Sequence, residues 1–416
     1  MNSSLSVLLR CLLLLGKFAF LIYFAKVSSV VNVGSYAILT SSITILVFVL
    51  GFEMHAICCR AVASSDSKPE RGHIFLNHTL FVAFVGLISI LIYFLLRSLG
   101  IGAHIEWLNF KVLLLLIAEM YAQEVGRYLL MVERPVASNF VQFMRGGAWP
   151  LLVIFVLPSF PVEDHMRIVI DAWLISSVLS IVIGLIYLRR EILIVSSLDV
   201  PFVRKAFWDA RFFWMVAILT QSQIYLDRYI LGYFSGLKSV GIVALFQNLT
   251  NVIQTFVQVG VVAIILPKLI RAFERNSYND FVLNVKLMFS RSALLVVVLS
   301  VGLVVSIDFV LNLTGKQEYV EYRSVLYFLL VSNGFASFAI IPHIALYSCR
   351  ADKVLFRLTV MTFVFHLIVC TLLTKFYGLY GSVISMIAFN GFALLLKTLK
   401  AREFLRGFEK HEKLSV

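Results

Sequence analysis

The chain has 416 residues, of which 60% are hydrophobic and 14% are charged, and its mean hydropathy is +0.93. A water-soluble protein of this length needs far more polar surface. Its apolar runs of about 20 residues have the length that crosses a ~30 Å hydrocarbon core. They are too solidly apolar for barrel strands, which alternate every second residue. We therefore predict an all-α membrane protein with many spans, in spite of a formal net charge of +13 that could indicate nucleic acid.

We predict twelve spans, joined by connections too short to form a soluble domain. The first apolar run is long for a signal peptide and lacks a clear cleavage site, so we expect it to be retained as the first helix. The twelve spans are 5–26, 34–58, 73–97, 111–132, 136–158, 167–188, 210–232, 239–267, 284–312, 323–348, 354–375 and 379–401.

The distribution of Lys and Arg predicts the orientation of these spans. With a cytoplasmic N-terminus, 25 of the 36 basic residues lie at inner ends and inner loops, so both termini are expected to face the cytoplasm. The positive charge is then mostly a matter of topology, and a nucleic-acid partner is not expected. Three basic residues remain within spans: Lys17, Arg145 and Arg228.

An internal repeat with an offset of 207 residues relates the two halves of the sequence. The turn after the first span reads VNVGSYAI, with Gly34, and the turn after the seventh reads KSVGIVAL, with Gly241. We predict two six-helix lobes, 1–190 and 210–416, joined by a cytoplasmic linker at 191–209. Six spans per lobe give both lobes the same orientation, related by a pseudo-two-fold axis along the membrane normal. Transporters are often built in this way, with the substrate path between the halves.

Two cations are predicted to lie too deep to reach an interface. Lys17 lies roughly 18 Å into its span and Arg145 roughly 15 Å, at 1.5 Å per residue. Arg10 precedes Lys17 by seven residues and shares its helix face. Two interpretations remain open: an anion-attracting, water-filled cavity, or a buried ion pair with Glu119, Glu124 or Glu53.

The segment FMRGGAWPL, residues 143–151, combines the charge of Arg145 with helix weakeners. Pro150 removes a backbone hydrogen bond and frees the carbonyl of Gly146, while Gly146 and Gly147 permit close packing. We predict a cationic contact on a bendable helix.

In the fourth span, Glu124 and Arg127 have the i,i+3 spacing of an intrahelical ion pair. We favour that pairing over a role in the substrate path, although Arg127 stays a candidate anion ligand. Glu53, near the inner end of the second span, is predicted to be a boundary residue.

The eighth span carries an amide stripe, which comprises Gln247, Asn251, Gln254 and Gln258 on one helical face. The repeat places Thr40 and Thr44 of the second span in equivalent positions. Hydrogen bonding between helices is the alternative explanation. We favour a polar cavity wall, because amides both donate and accept hydrogen bonds and so suit sugar hydroxyls.

In the seventh span, Asp227 and Arg228 are neighbours that point about 100° apart. Asp227 and His343 are candidates for ion coupling, with a packed histidine as the alternative for His343. The five cysteines include no CxxC motif, and no nucleotide-binding or hydrolytic motif occurs. We therefore expect no cofactor, no metal site and no enzymatic activity.

Two stretches of the sequence resemble polysaccharide transporters of the Wzx, or O-antigen flippase, type. These are LLRCLLLLGKFAFLIYFAKVSSVVNVGSYAILTS…GFEMHAICCRAVAS and LDRYILGYFSGLKSVGIVALFQNLTNVIQTFVQVGVVAIILPKL. The family belongs to the multidrug/oligosaccharidyl-lipid/polysaccharide exporter superfamily. The resemblance covers the whole chain through short, loose motifs.

The resemblance implies a flippase that works by alternating access in a bacterial inner membrane. The cargo would be an undecaprenyl-diphosphate-linked oligosaccharide, and a polysaccharide polymerase and a chain-length regulator would be partners. Carried over by position, the diphosphate ligands would be Arg10, Lys17, Arg145, Arg127 and Arg228, and the amide stripe would contact the sugars. Two alternatives are a cation-coupled multidrug antiporter and a membrane polysaccharide polymerase or ligase. Basic deep charges argue against the first alternative, and short outer loops argue against the second.

Overall fold

The structure is a computed structural model that describes residues 2–99, 109–193 and 198–415. All regular secondary structure in these segments is helical. Parts of the predicted outer loop 97–110 and of the predicted linker 191–209 lie outside the described residues, and so do the side chains of Lys410 and Lys413.

The first part of the chain forms eight α-helices. Side chains cap two of them: Ser67 accepts from the Glu70 amide at the start of the fourth helix, and Asn109 accepts from the Val112 amide at the start of the fifth. The helices are α1 Asn2–Val27, α2 Val30–Gly51, α3 His55–Ser64, α4 Lys68–Ser98, α5 Phe110–Met131, α6 Pro135–Phe143, α7 Trp149–Val156 and α8 His165–Leu188.

Beyond residue 198 the chain forms six further α-helices. The longest two each contain one glycine with positive φ, Gly236 (77°) and Gly378 (57°), so each is two helices joined at a sharp turn. Gly315, with φ of 65°, ends α11 in the left-handed conformation that favours glycine. The helices are α9 Val200–Val257, α10 Ala263–Glu274, α11 Tyr278–Thr314, α12 Gln317–Glu321, α13 Ser324–Ser348 and α14 Asp352–Ser415.

The protein is a multi-pass membrane protein, and nine helical stretches of the described chain are long and apolar enough to cross a bilayer. Two of these nine, Val200–Glu274 and Asp352–Phe408, contain the turns at Gly236 and Gly378 and are long enough for two crossings each. The 22-residue helix α5 is not among the nine, because it holds four charged residues. With these three additions the helices fit the predicted number of twelve spans.

The predicted second span, 34–58, is not continuous. It ends as α2 at Gly51, and α3 begins at His55 after two residues with positive φ, Phe52 (50°) and Glu53 (52°). Both are non-glycine residues in the left-handed region, which is uncommon and strained. Neither glycine nor proline occupies these two positions, although Gly51 directly precedes them and its carbonyl accepts from the Met54 amide at 3.2 Å.

The predicted fifth span contains a π-helix, Met144–Ala148, between α6 and α7. Its cause is local, because Pro150 has no N–H to complete the α-helical ladder. The hydroxyl of Ser176 on α8 donates to the carbonyl of Met144 and so satisfies one backbone group in the widened turn. A second π-helix, Gln258–Val262, lies between α9 and α10. Such bulges frequently mark functional sites.

The chain divides into two compact units. The first comprises Met1–Ser29 and Leu39–Gln221, and the second comprises Val30–Ile38 and Ser222–Val416. In the first unit, α5 packs on α8 and α6, and α1 packs on α6, α7 and the π-helix between them. In the second unit, α13 packs on α14 and α11, and α10 packs on α11.

Within the second unit, the two glycines that identified the repeat meet in a reciprocal contact. A Cβ on Gly34 would lie 1.9 Å from the carbonyl oxygen of Leu237, and one on Gly241 would lie 2.1 Å from that of Val30. Val30 and Leu237 are themselves related by the 207-residue offset. Such an exchange of equivalent contacts is the mark of a two-fold relation, as in an isologous interface. The contact therefore supports the internal repeat.

We expect Gly34→Ala to lower the stability of the protein by about 1–3 kcal/mol, because the added methyl group has no room and the backbone must move. The thermal unfolding midpoint in detergent, followed by intrinsic fluorescence, measures this effect. Gly302→Ala is the matched control, since a Cβ there meets no atom within 4 Å. Equal midpoints for the two variants would contradict the close contact.

Candidate functional site

Lys17 and Arg145, the two cations predicted to lie deep in the membrane, belong to two segments of the first unit that are in close contact: α1 and the π-helix Met144–Ala148. A Cβ on Gly147 would lie 3.0 Å from the Cα of Leu13, and one on Gly16 would lie 3.3 Å from the carbonyl oxygen of Gly147. These two glycines therefore let α1 approach the backbone of the π-helix. The contact brings Lys17, on α1, to the turn that carries Arg145.

The Lys17 side chain lies over Gly146, the residue that follows Arg145. Its Cε and Nζ lie 3.2 Å and 3.3 Å from the position that a Cβ of Gly146 would occupy. The side chain is exposed, and its ammonium group makes no hydrogen bond and no ion pair within 4 Å in the described segments, although it lies within electrostatic range of Glu119 and Arg145. Gly146 thus provides the space in which the Lys17 side chain lies.

Arg145, by contrast, has protein partners. Its Nη1 lies 3.0 Å from Oε1 of Glu119 and donates to Oε1 of Gln123 at 3.2 Å. The other oxygen of Glu119 accepts from Trp173 Nε1 at 3.1 Å and from the Ser177 hydroxyl at 2.9 Å. Of the two interpretations that the sequence left open, the structure supports the ion pair for Arg145, with Glu119 as the partner.

The guanidinium of Arg145 keeps one unused donor. Its Nε is buried and has no acceptor among the residues that the structure describes. A buried donor without a partner is costly, so it is a position where an acceptor from a ligand or water would be stabilised.

Arg10 extends the same face of α1, seven residues before Lys17. Its Nε donates to Oδ1 of Asn139 on α6 at 3.0 Å, and its side chain is exposed. We use the name cationic cluster for Arg10, Lys17 and Arg145 together with Glu119. The cluster carries three positive charges and one negative charge, so it favours an anion, and guanidinium and ammonium groups suit phosphate oxygens.

Arg127 lies elsewhere on α5 and forms the predicted i,i+3 ion pair. Its Nη1 lies 2.6 Å from Oε1 of Glu124, whose side chain is 6% exposed. The spacing in the sequence was sufficient to identify this pair.

The amide stripe of the eighth span, which lies in the second half of α9 and at the start of the second π-helix, divides into two kinds of residue. Gln247 bonds to Asp227 and Arg228, and Gln254 donates to Oδ1 of Asn333 on α13 at 2.7 Å. Both act in hydrogen bonds between helices, which was the alternative explanation.

Asn251 and Gln258 are the exposed members of the stripe, and Thr255 on the same side is exposed as well. Neither amide has a side-chain hydrogen bond within the part of the chain that the structure describes. In the first unit, Thr44 donates to the carbonyl of Thr40 at 2.7 Å, and both residues are half-buried. The polar groups available to a ligand in α9 are therefore fewer than the sequence indicated.

Arg228 is 7% exposed and makes several contacts within the second unit. Its Nη1 donates to the carbonyl of Ala37 at 3.2 Å, its Nε and Nη2 approach Oε1 of Gln247, and its guanidinium lies over the ring of Tyr225 at 5.2 Å. Asp227 is 2% exposed and accepts from Gln247 Nε2 at 3.2 Å. This network links the start of α2 to α9.

His343 is half-buried on α13, where it follows Pro342. The helix continues through this proline to Ser348 without the interruption seen at Pro150. The Nδ1 of His343 is buried and has no hydrogen-bond partner within the described residues.

Sequence reasoning missed three residues that hold the cationic cluster in place: Asn139, Trp173 and Ser177. An asparagine, a tryptophan and a serine are ordinary in apolar spans, and no short-range spacing links them to Arg10 or Glu119. A signal is present only for Trp173, since a buried indole N–H needs an acceptor.

Comparison with known proteins identifies the fold through solved structures and not through the sequence. No family model and no curated protein matches the sequence. Among solved structures, the chain is similar to a multidrug resistance MATE family transporter of the MOP superfamily in an inward-facing conformation, with a TM-score of 0.65 at 14% identity over 96% of both chains.

The outward-facing conformation of a MATE family transporter gives a TM-score of 0.63 at 14% identity, over 98% of this chain and 96% of that one. The lipid II flippase MurJ, in an inward closed conformation, gives a TM-score of 0.65 at 14% identity, over 99% of this chain and 90% of that one. These likenesses extend over nearly the full length of both proteins. The chain therefore has the fold of membrane transporters of the MOP superfamily.

Proposed function

We propose that the protein is a flippase that moves an undecaprenyl-diphosphate-linked oligosaccharide from the inner to the outer leaflet of a bacterial inner membrane by alternating access. Both termini face the cytoplasm in this proposal, and a polysaccharide polymerase and a chain-length regulator act on the product. The fold supports a transporter, and the resemblance of the two sequence stretches to Wzx-type proteins supports this cargo.

The single observation that carries the proposal is the ammonium of Lys17, which makes no hydrogen bond or short ion pair within the described residues and lies beside the π-helix of Arg145. A lipid-linked sugar with a diphosphate presents oxygen anions at the level of the membrane, and these need cations that are not fully neutralised. Lys17 makes no hydrogen bond or short ion pair within the described segments, Arg145 retains a buried donor at Nε, and Arg10 is exposed about two helical turns before Lys17. We assign these three residues to the diphosphate.

We assign the sugar contacts to Asn251 and Gln258, which are exposed and keep their amide groups available. Gln247 and Gln254, together with Arg228, serve in hydrogen bonds between helices, so we expect them to affect stability more than cargo binding. Arg127 pairs with Glu124 and is a weaker candidate for the diphosphate.

The test is a flipping assay with the purified protein in proteoliposomes. An undecaprenyl-diphosphate-linked oligosaccharide, labelled on its sugar, is added to the outer leaflet, and quenching of the label from outside reports the fraction that has moved. We expect the labelled lipid to move across the membrane of proteoliposomes but not of empty liposomes. We expect no movement of the same lipid when a neutral linkage replaces its diphosphate. Movement of cationic drugs without movement of the lipid-linked sugar would instead establish a multidrug antiporter.

A further inference from the structure

A second polar cluster lies in the first unit, where α5 passes the break between α2 and α3. We call it the carboxylate cluster, and it comprises Glu53, His55, Glu124 and Arg127. Arg127 is its only member considered for the diphosphate, and Arg127 is paired with Glu124. The proposed function gives no role to the two carboxylates.

Aromatic packing at Phe52 holds the strained turn that places Glu53 in this cluster. Phe52 and Glu53 both have positive φ, a conformation that costs roughly 1–3 kcal/mol for each such residue. The ring of Phe52 packs against Trp214 at a centroid distance of 4.8 Å and against Phe207 at 5.0 Å, which anchors the turn. The side chain of Glu53 is only 13% exposed as a result.

The charges of the cluster do not balance. Arg127 forms its ion pair with Glu124 at 2.6 Å and also lies within electrostatic range of Glu53. Two carboxylates, one bonded to it and one nearby, thus have a single guanidinium to balance their charge. Glu124 is 5% exposed, and its Oε2 is buried with no hydrogen-bond partner in the described part of the chain. A buried carboxylate oxygen that accepts no hydrogen bond is unfavourable as an anion and more stable as an O–H group.

Other ionisable groups around the cluster do not supply the missing positive charge. Nε2 of His55 lies 3.6 Å from Oε2 of Glu53, but the His55 side chain is only 19% exposed and also lies within electrostatic range of Arg127. His78 on α4 is engaged with the hydroxyl of Tyr128 at 2.9 Å. The remaining neighbours are two thiols of α3 and one guanidinium that is paired elsewhere: Cys58, Cys59 and Arg145.

We propose that the carboxylate cluster is a proton-binding site that holds one proton in total on its two carboxyl groups, those of Glu53 and Glu124. With one proton, the two carboxyl groups and Arg127 are neutral as a set. Two carboxylates in one buried site cannot both ionise cheaply, so the proton belongs to the pair.

The site also has a consequence that rests on the proposed function. Glu124 lies within electrostatic range of Arg145, so proton occupancy changes the field at the cationic cluster. By linkage, an anion bound at Arg145 then changes proton occupancy by the same factor.

Infrared spectroscopy of the purified full-length protein in lipid nanodiscs tests the proton site without any cargo. The carbonyl stretch of a protonated carboxylic acid is resolved from carboxylate bands, and a pH change serves as the probe. We expect Glu53→Gln, Glu124→Gln and the double variant each to lose the same intensity, that of one carboxylic acid at neutral pH. Each single variant leaves one carboxylate, which Arg127 neutralises without a proton.

Glu191→Gln is the matched control, because Glu191 pairs with the exposed Arg134 at 2.6 Å, away from the cluster, and we expect it to keep the full band. Three results would overturn the proposal: no change in either single variant, a double variant that loses twice the intensity, or an imidazolium band that disappears with His55→Asn. None of these depends on flipping, so the proton site and the proposed function can fail separately.

Discussion

Replacement of Lys17 by methionine should reduce the flipping of a diphosphate-linked oligosaccharide by roughly tenfold to a hundredfold. The reason is the loss of a charge-assisted contact with the diphosphate, worth about 1.5–3 kcal/mol. Methionine keeps most of the apolar stem that lies over Gly146, so the packing of α1 on the π-helix is retained. The initial rate of flipping in proteoliposomes measures the effect.

Lys26→Met is the matched control, since Lys26 is an exposed lysine in the last turn of the same helix. It should flip at the wild-type rate. Lys17→Arg keeps the charge and should retain most of the activity. Flipping at the wild-type rate by Lys17→Met would show that Lys17 does not bind the diphosphate. Equal losses in Lys17→Met and Lys26→Met would indicate a general effect of charge.

Local spacing in the sequence predicted those features that depend on a single helix. The ion pair of Glu124 and Arg127 follows from i,i+3 geometry, and the structure confirms it at 2.6 Å. Pro150 likewise predicted a weakened turn, and the structure contains a π-helix there. In each case the cause and the effect lie within one or two turns of the same helix.

Contacts between distant residues were beyond such reasoning. Three acidic residues were possible partners for Arg145 from the sequence alone, and only the packing of α5 on α6 and α8 brings Glu119 to it. The break at Phe52 and Glu53 depends on aromatic contacts with residues about 155 positions later, at Phe207 and Trp214. A left-handed backbone without glycine is imposed by such tertiary contacts and has no signal in the local sequence.

The amide stripe shows an intermediate case. Helical periodicity correctly places its four members along one side of a helix, but it does not distinguish an amide bonded to another helix from one that is exposed. Whether an amide is bonded or exposed depends on the neighbouring helix. Asn333 of α13 accepts a hydrogen bond from Gln254, whereas Asn251 is exposed. The site is therefore smaller than the periodic pattern predicts.

Arg145→Gln should destabilise the protein strongly, and Glu119→Gln should relieve much of that loss. Removal of the guanidinium leaves the Glu119 carboxylate, in a residue only 9% exposed, without its cation, which costs about 3–5 kcal/mol for a buried pair. In the double variant both charges of the Arg145–Glu119 pair are removed, so its thermal unfolding midpoint should return close to that of the wild type. The donors Trp173 and Ser177 can still bond to the glutamine oxygen.

The double variant separates the structural role of Arg145 from its proposed role in transport. Its stability should recover while its rate of flipping remains well below wild type, because the cationic cluster has lost a diphosphate ligand. Arg134→Gln is the control for charge removal, since Arg134 is 59% exposed and such surface pairs contribute about 0–1 kcal/mol. A double variant that flips at the wild-type rate would show that Arg145 serves only to neutralise Glu119, and Lys17 would then carry the anion contact together with Arg10.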